Sequence, residues 1–167
     1  VDIARSLGLT QGAVFKHFPT KDAIWLAVMG WVESHLLSAL DAVAAAAPTP
    51  LEGLRAVFMK HARFVAKHPG VPRLILNELQ KPRDTPVKRR ARSMQENYRK
   101  LVARLLAEAE KRGEIVAGLD RDGAATLFIG AVQGLMLQAM LAGSTSKLEA
   151  EAKRVFSIYL NAVRKPS

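Results

Sequence analysis

The run from Gly123 to Ser146 carries no charged residue, and nothing else in the chain narrows its folding options as much. A helix of that length is long enough to cross a bilayer. Gln133, Gln138, Gly130 and Gly134 dilute its apolar character, and Lys and Arg are scattered along the rest of the chain instead of gathering at its flanks. These features favour a helix buried on all sides in a soluble body, so no membrane partner is expected.

A chain of 167 residues can enclose such a helix in one large domain, or in a small module joined to a larger one. Hydrophobic residues make up 49% and aromatics only 6%, while Ala, Leu, Glu, Lys and Arg recur throughout, which points to an all-α fold. Lys and Arg exceed Asp and Glu by 25 − 15 = +10, so the molecule attracts polyanions. The absence of cysteine excludes disulfides and thiolate metal sites.

Turn signals cut the sequence into helices. Gly8 follows the first, Pro19-Thr20 precedes a long second run, and Pro48-Thr49-Pro50 closes it. Thr20 suits an N-cap for a helix from Lys21 to Ala47, with Ile24, Val28, Trp31, Val32, His35 and Leu36 at helical spacing. Leu51, Leu54, Phe58, His61 and Val65 mark the next helix, which stops near His68-Pro69-Gly70. A short helix over Val71 to Gln80 and a loop over Lys81 to Pro86 lead into a long basic helix, ended by Gly113. Its stripe is Val87, Ala91, Met94, Tyr98, Leu101, Leu105 and Ala109. The last two helices span Asp120 to Ala142 and Ser146 to Arg164, with Asp120 and Ser146 as caps. Neither a strand nor an internal repeat is evident.

Near the N-terminus, Ile3 to Phe18 has what a helix-turn-helix needs. Ala4 is small enough for a helix crossing, Gly8 can take the positive φ of the turn, and Leu9 with Val14 can pin the second helix. Thr10 can cap that helix and present Gln11, Gly12 and Ala13 to a major groove. The continuation Val14-Phe15-Lys16-His17-Phe18-Pro19-Thr20-Lys21-Asp22-Ala23-Ile24 resembles the signature of the tetracycline-repressor (TetR/AcrR) family. In that signature a short recognition helix ends in aromatic-x-His-Phe and runs into a Lys-x-x-aliphatic helix start.

The resemblance covers residues 1 to about 32 in detail and the remainder only in helix number, length and order. It implies that Thr10, His17 and Lys21 contact phosphates, that Gln11 and Ala13 read bases, and that Phe18 anchors the core. Gly12, Phe15 and Lys16 complete the DNA-binding set. Phe15 stands where the family usually has tyrosine. The chain opens at Val1 within what already reads as a helix, so an upstream extension is expected.

The resemblance further implies a DNA-binding module with connecting helix at 1–47 and a helical effector-binding and dimerisation domain at 48–167. It places the effector site among the helices from Leu51 to Ala142. There Phe58, Ala62, Leu76, Leu79, Met94, Tyr98, Leu101, Gln133 and Leu137 could line an apolar cavity, although such residues at helical spacing also serve as plain core. Family members pair through their last two helices, here through Leu127, Phe128, Ala131, Leu135, Ala139, Phe156 and Tyr159, with Gly130 and Gly134 allowing close approach. A homodimer sets two recognition helices about one DNA turn apart and so implies a palindromic double-stranded operator. A small apolar or amphipathic effector would tilt the connecting helix and release the DNA, and a cytoplasmic location follows.

Residues 1–22 carry a net charge of only 3 − 2 = +1, whereas Lys81 to Arg112 carries 11 − 4 = +7. That stretch is either a second nucleic-acid surface or a solvated helix face, the latter being favoured. Among other functions, an enzyme has little to work with. None of His17, His35, His61 and His68 sits in a catalytic or metal spacing; a metal site from His61, His68 and Glu78 is the only arrangement on offer, and neither metal nor cofactor is expected. The remaining alternative is an architectural or interaction protein that binds DNA by charge without reading sequence.

Overall fold

The computed structural model describes Phe18 and residues 20–166. Thr20 caps the first described helix, α1 (Lys21–Val32), its Oγ1 accepting the Ala23 amide at 3.1 Å. A π-helical turn at Glu33–Leu37 then interrupts the connecting helix before it continues as α2 (Ser38–Ala45). Spacing alone predicts one uninterrupted helix here.

Thr49 and Thr85 cap α3 (Pro50–Lys67) and α5 (Pro86–Lys111), each with proline at the start, where a missing amide hydrogen does no harm. Between them, α4 (Gly70–Leu79) is short. Asp120 caps α6 (Arg121–Leu141), its Oδ1 accepting the Gly123 amide at 3.0 Å. The last helix, α7 (Leu148–Val163), starts later than expected. Ser146 does not cap it, because its hydroxyl lies 3.0 Å from that of Ser144 in the preceding turn. Both α5 and α6 end on a glycine with positive φ, Gly113 (68°) and Gly143 (66°). In each case the next amide, from Glu114 or Ser144, returns to a carbonyl five residues back.

All described elements are helices, apart from a single antiparallel bridge between Ile115 and Arg164. α3 lies at the centre, packed against α2, α5, α6 and α7. Its Leu54, Val57 and Phe58 are completely buried. One continuous core runs from Met29 on α1 to Val163 on α7, so the connecting helix is part of the main body, while Ile24, Phe18 and Val28 form a small satellite cluster beside it. Two helices, Lys21–Ala45 and Arg121–Leu141, are long and apolar enough to cross a bilayer. Each packs against the bundle along one side only, with 28% and 33% of its apolar window buried, so α6 is not the helix buried on all sides that its composition suggested.

Candidate functional site

Seven of the expected DNA contacts, Thr10, Gln11, Gly12, Ala13, Phe15, Lys16 and His17, lie outside the described residues. The eighth, Lys21, is exposed in the first turn of α1, directly after the Thr20 cap. Phe18 is half-buried against Ile24, in keeping with an anchoring role.

Next to Lys21, Asp22 sits 3.8 Å from the Lys81 ammonium, and Lys81 also pairs with Glu78. Glu78 is the one buried charged side chain among the described residues. Its second oxygen accepts the Thr85 hydroxyl at 2.9 Å, and Lys88 bonds the Lys81 carbonyl. Burial alone would raise the Glu78 carboxyl; hydrogen bonds from Lys81 and Thr85 instead hold it below its ordinary value. This network organises the loop from α4 to α5 and reaches the first turn of α1.

The basic stretch 81–112 proves to be a framework of ion pairs. Along α5, Arg89 and Arg92 share Asp84, Arg90 binds Glu33, Arg99 meets Asp122, Lys100 meets Glu96 and Arg104 meets Asp41. These paired cations remain 41–70% exposed, as on a solvated helix face, and pairs of that kind exchange partners at little cost.

The nine residues expected to line an effector pocket do not meet around one cavity. Phe58, Ala62, Met94, Tyr98 and Leu101 are buried, Leu76 is half-buried, and Leu79, Gln133 and Leu137 are exposed. Phe58 and Tyr98 belong to an aromatic core, in which the Phe58 ring meets Phe128 at 5.2 Å and Phe156 at 5.3 Å. Two hollows lie elsewhere. The larger, about 450 Å³, opens between the connecting helix and α5 and is lined by Leu37, Asp41, Asn97, Lys100, Leu101 and Arg104. A smaller one of about 100 Å³ lies among α3, α4 and the end of α6, with Met136 and Met140 in its wall. Leu101 alone of the nine lines either.

The expected dimer contacts need a similar correction. Phe128, Leu135, Phe156 and Tyr159 are buried inside the protomer, and the Tyr159 hydroxyl donates to the Ala124 carbonyl at 3.2 Å. They have no surface left for a partner. Leu127 is exposed, and Ala131 and Ala139 are half-buried. The apolar surface of α6 and α7 consists instead of Leu127, Leu137, Leu141 and Ile158. Gly130 and Gly134 face open space, with no atom within 4 Å of where a Cβ would stand.

His61, His68 and Glu78 do not converge on a metal. His61 faces the Tyr98 hydroxyl, with Nδ1 at 3.2 Å, and burial lowers its pKa to about 4. His68 meets Trp31 edge-on and Phe64 at a tilt at the end of α3, and Glu78 belongs to the lysine network. No grouping of three His, Cys, Asp or Glu able to hold a metal occurs among the described residues.

Sequence reasoning passed over Glu33 with Arg90 and Asp41 with Arg104. Each pair joins positions about sixty residues apart, and no local spacing signals such a contact.

Residues 50–155 match the family model for the tetracyclin repressor-like C-terminal domain. The nucleoid occlusion factor SlmA of Vibrio atlanticus is 22% identical over 134 residues, covering 80% of this chain and 68% of that protein. Its Vibrio vulnificus counterpart aligns over 73 residues at 25% identity, which is 44% of this chain and 37% of that one. Among solved structures, the ketosteroid transcriptional regulator KstR2 of Mycobacterium tuberculosis superposes with a TM-score of 0.82 at 18% identity, covering 99% of this chain and 84% of that one. The regulator FadR of Bacillus subtilis, in complex with stearoyl-CoA, gives 0.78 at 18% identity, covering 97% and 87%. These structural likenesses concern the fold. The family model, extending over more than half the chain, carries the assignment: this chain belongs to the tetracycline-repressor-like (TetR) family of transcriptional regulators.

Proposed function

We propose that the protein is a sequence-specific, DNA-binding transcriptional repressor that acts in the cytoplasm as a homodimer and is released from a palindromic operator by a small apolar or amphipathic effector. Residues 1–47 supply the DNA-binding module and connecting helix, and residues 48–167 the effector-binding and dimerisation domain. One observation carries this reading: a family-matched C-terminal domain at 50–155 follows, through α1 and α2, on a sequence that resembles the family's helix-turn-helix signature.

Thr10 and His17, with Lys21 at the start of α1, hold phosphates, while Gln11 and Ala13 read bases. Two copies pair through Leu127, Leu137, Leu141 and Ile158, with Gly130 and Gly134 letting the helices come close. The effector occupies the regulatory half; the FadR structure bound to stearoyl-CoA offers a precedent for a ligand on this fold. A ligand releases DNA only if it binds the released state better.

The test is selection of duplexes from a random pool by the protein. Recovered sites should be palindromic, with half-sites about 34 Å apart. Equal binding of random and selected duplexes at matched salt would replace this reading with an architectural DNA-binding protein.

A further inference from the structure

The interruption in the connecting helix has a cause in the sequence. Val32, Leu36, Leu40 and Ala44 all face the core, at successive steps of four residues. Each step overruns the 3.6-residue α turn by about 40°, so a regular α-helix would carry this stripe roughly 120° around its axis. A π-turn holds more residues per turn and brings the stripe back. Along the chain, the face that α1 presents is thus set relative to α2 by Glu33–Leu37, while Met29 and Val32 seat that face on the core.

Side chains hold this turn in place. The Trp31 carbonyl accepts from the Ser34 hydroxyl at 3.0 Å and from His35 Nδ1 at 2.8 Å, so Nδ1 carries the proton. The His35 ring stacks on Trp31 at 4.5 Å. From the regulatory body, Arg90 on α5 reaches the first residue of the turn. Its Nε and Nη2 donate to a single oxygen of Glu33, at 2.9 and 2.7 Å. The guanidinium lies against Gly30, where a Cβ would meet Nη2 in ordinary contact at 3.4 Å. Both side chains are partly exposed, at 42% and 31%, and pairs of that kind add little to global stability. The pair does, however, have a two-pronged geometry and sits at the one point where the helix can change register.

We propose that Glu33 and Arg90 are positioning residues for DNA recognition: their ion pair holds the connecting helix in its π register, and that register fixes the angle at which Lys21 and the segment before it meet a duplex. This rests on the regulator reading above. Were Glu33–Leu37 to rewind as regular α-helix, the extra residue that the π-turn absorbs would turn what lies N-terminal to it by about 100° about the helix axis. A dimer must place two modules on two half-sites together, so a protein divided between registers binds with an affinity lowered by the fraction in the competent one. In the regulatory direction, any event that draws Arg90 away from Glu33 frees the turn.

The experiment compares variants of the full chain on a duplex selected from a random pool. Arg90→Gln is expected to weaken binding at least tenfold, with the urea midpoint unchanged and amide exchange across residues 31–38 accelerated. Glu33→Gln should do the same and serves as the second variant should Arg90→Gln fold poorly. The swap of Glu33→Arg with Arg90→Glu should recover most of the lost affinity. Arg104→Gln removes the same charge from the Asp41 pair further along the connecting helix, and should stay within twofold of the parent. Undiminished binding by folded Arg90→Gln or Glu33→Gln, equal weakening by Arg104→Gln, or failure of the swap to rescue each overturns the proposal. Should no duplex be selected at all, the regulator reading fails, and with it the role in DNA recognition; unaltered exchange at 31–38 in Arg90→Gln would show separately that the pair does not hold the turn.

Discussion

His61 keeps part of its surface exposed, yet burial lowers its pKa to about 4, beside a Tyr98 hydroxyl whose own pKa burial pushes up. The unfolded chain takes up a proton near pH 6.5, and the folded chain resists until about pH 4. Stability contributed by the neutral imidazole is therefore complete above pH 6.5 and lost as the pH falls towards 4, by at most about 3 kcal/mol. Urea denaturation across that interval should show the decline, and His61→Gln should flatten it; an equally steep profile in the variant would count against the assignment. Glu78 offers a second test at this scale. Glu78→Ala leaves Thr85 and Lys81 without their carboxylate and should cost about 1–3 kcal/mol, read from the shift in the urea midpoint. Neither role was legible in the sequence. His61, His68 and Glu78 lie close enough along the chain to suggest a shared site, but Tyr98 and the lysine network, which decide what His61 and Glu78 do, become neighbours only on folding.

Helix boundaries were the most legible part of the fold, because capping is local chemistry. Thr20 and Asp120 can be identified as caps from their own positions, and both accept the amide three residues on. Asp120→Ala should therefore lower stability by about 1 kcal/mol, whereas Ser146→Ala, at a position that caps nothing, should leave the melting temperature almost unchanged. A large loss from the serine change would mean that α7 starts where the sequence suggested. The π-turn went unread even though its signal was present. Val32, Leu36, Leu40 and Ala44 recur at four-residue steps, which pass for an ordinary amphipathic stripe unless the drift is summed over several turns. Arg90, which pins the turn, comes from another helix and leaves no trace in that pattern.

The proposed pairing of two copies depends on a face that the sequence could not orient. In α6 every side looks apolar, so nothing in its composition separates residues turned inward, such as Phe128 and Leu135, from those left outside, such as Leu127 and Leu137. Phe156 and Tyr159 misled for a related reason: large aromatics suit an interface as well as a core, and here the core has them. If the exposed set forms the contact, Leu137→Glu combined with Ile158→Glu should yield a folded monomer in sedimentation velocity, with helical content retained; a persistent dimer would place the contact elsewhere. The missing charge on 123–146 then acquires a further meaning. With 25 basic against 15 acidic side chains and an isoelectric point near 10.3, two copies are like-charged bodies in any neutral buffer, and they repel at long range. A neutral α6 gives them a place to touch where that repulsion is least, so added salt should leave self-association intact, or strengthen it, while it loosens the grip on a polyanion.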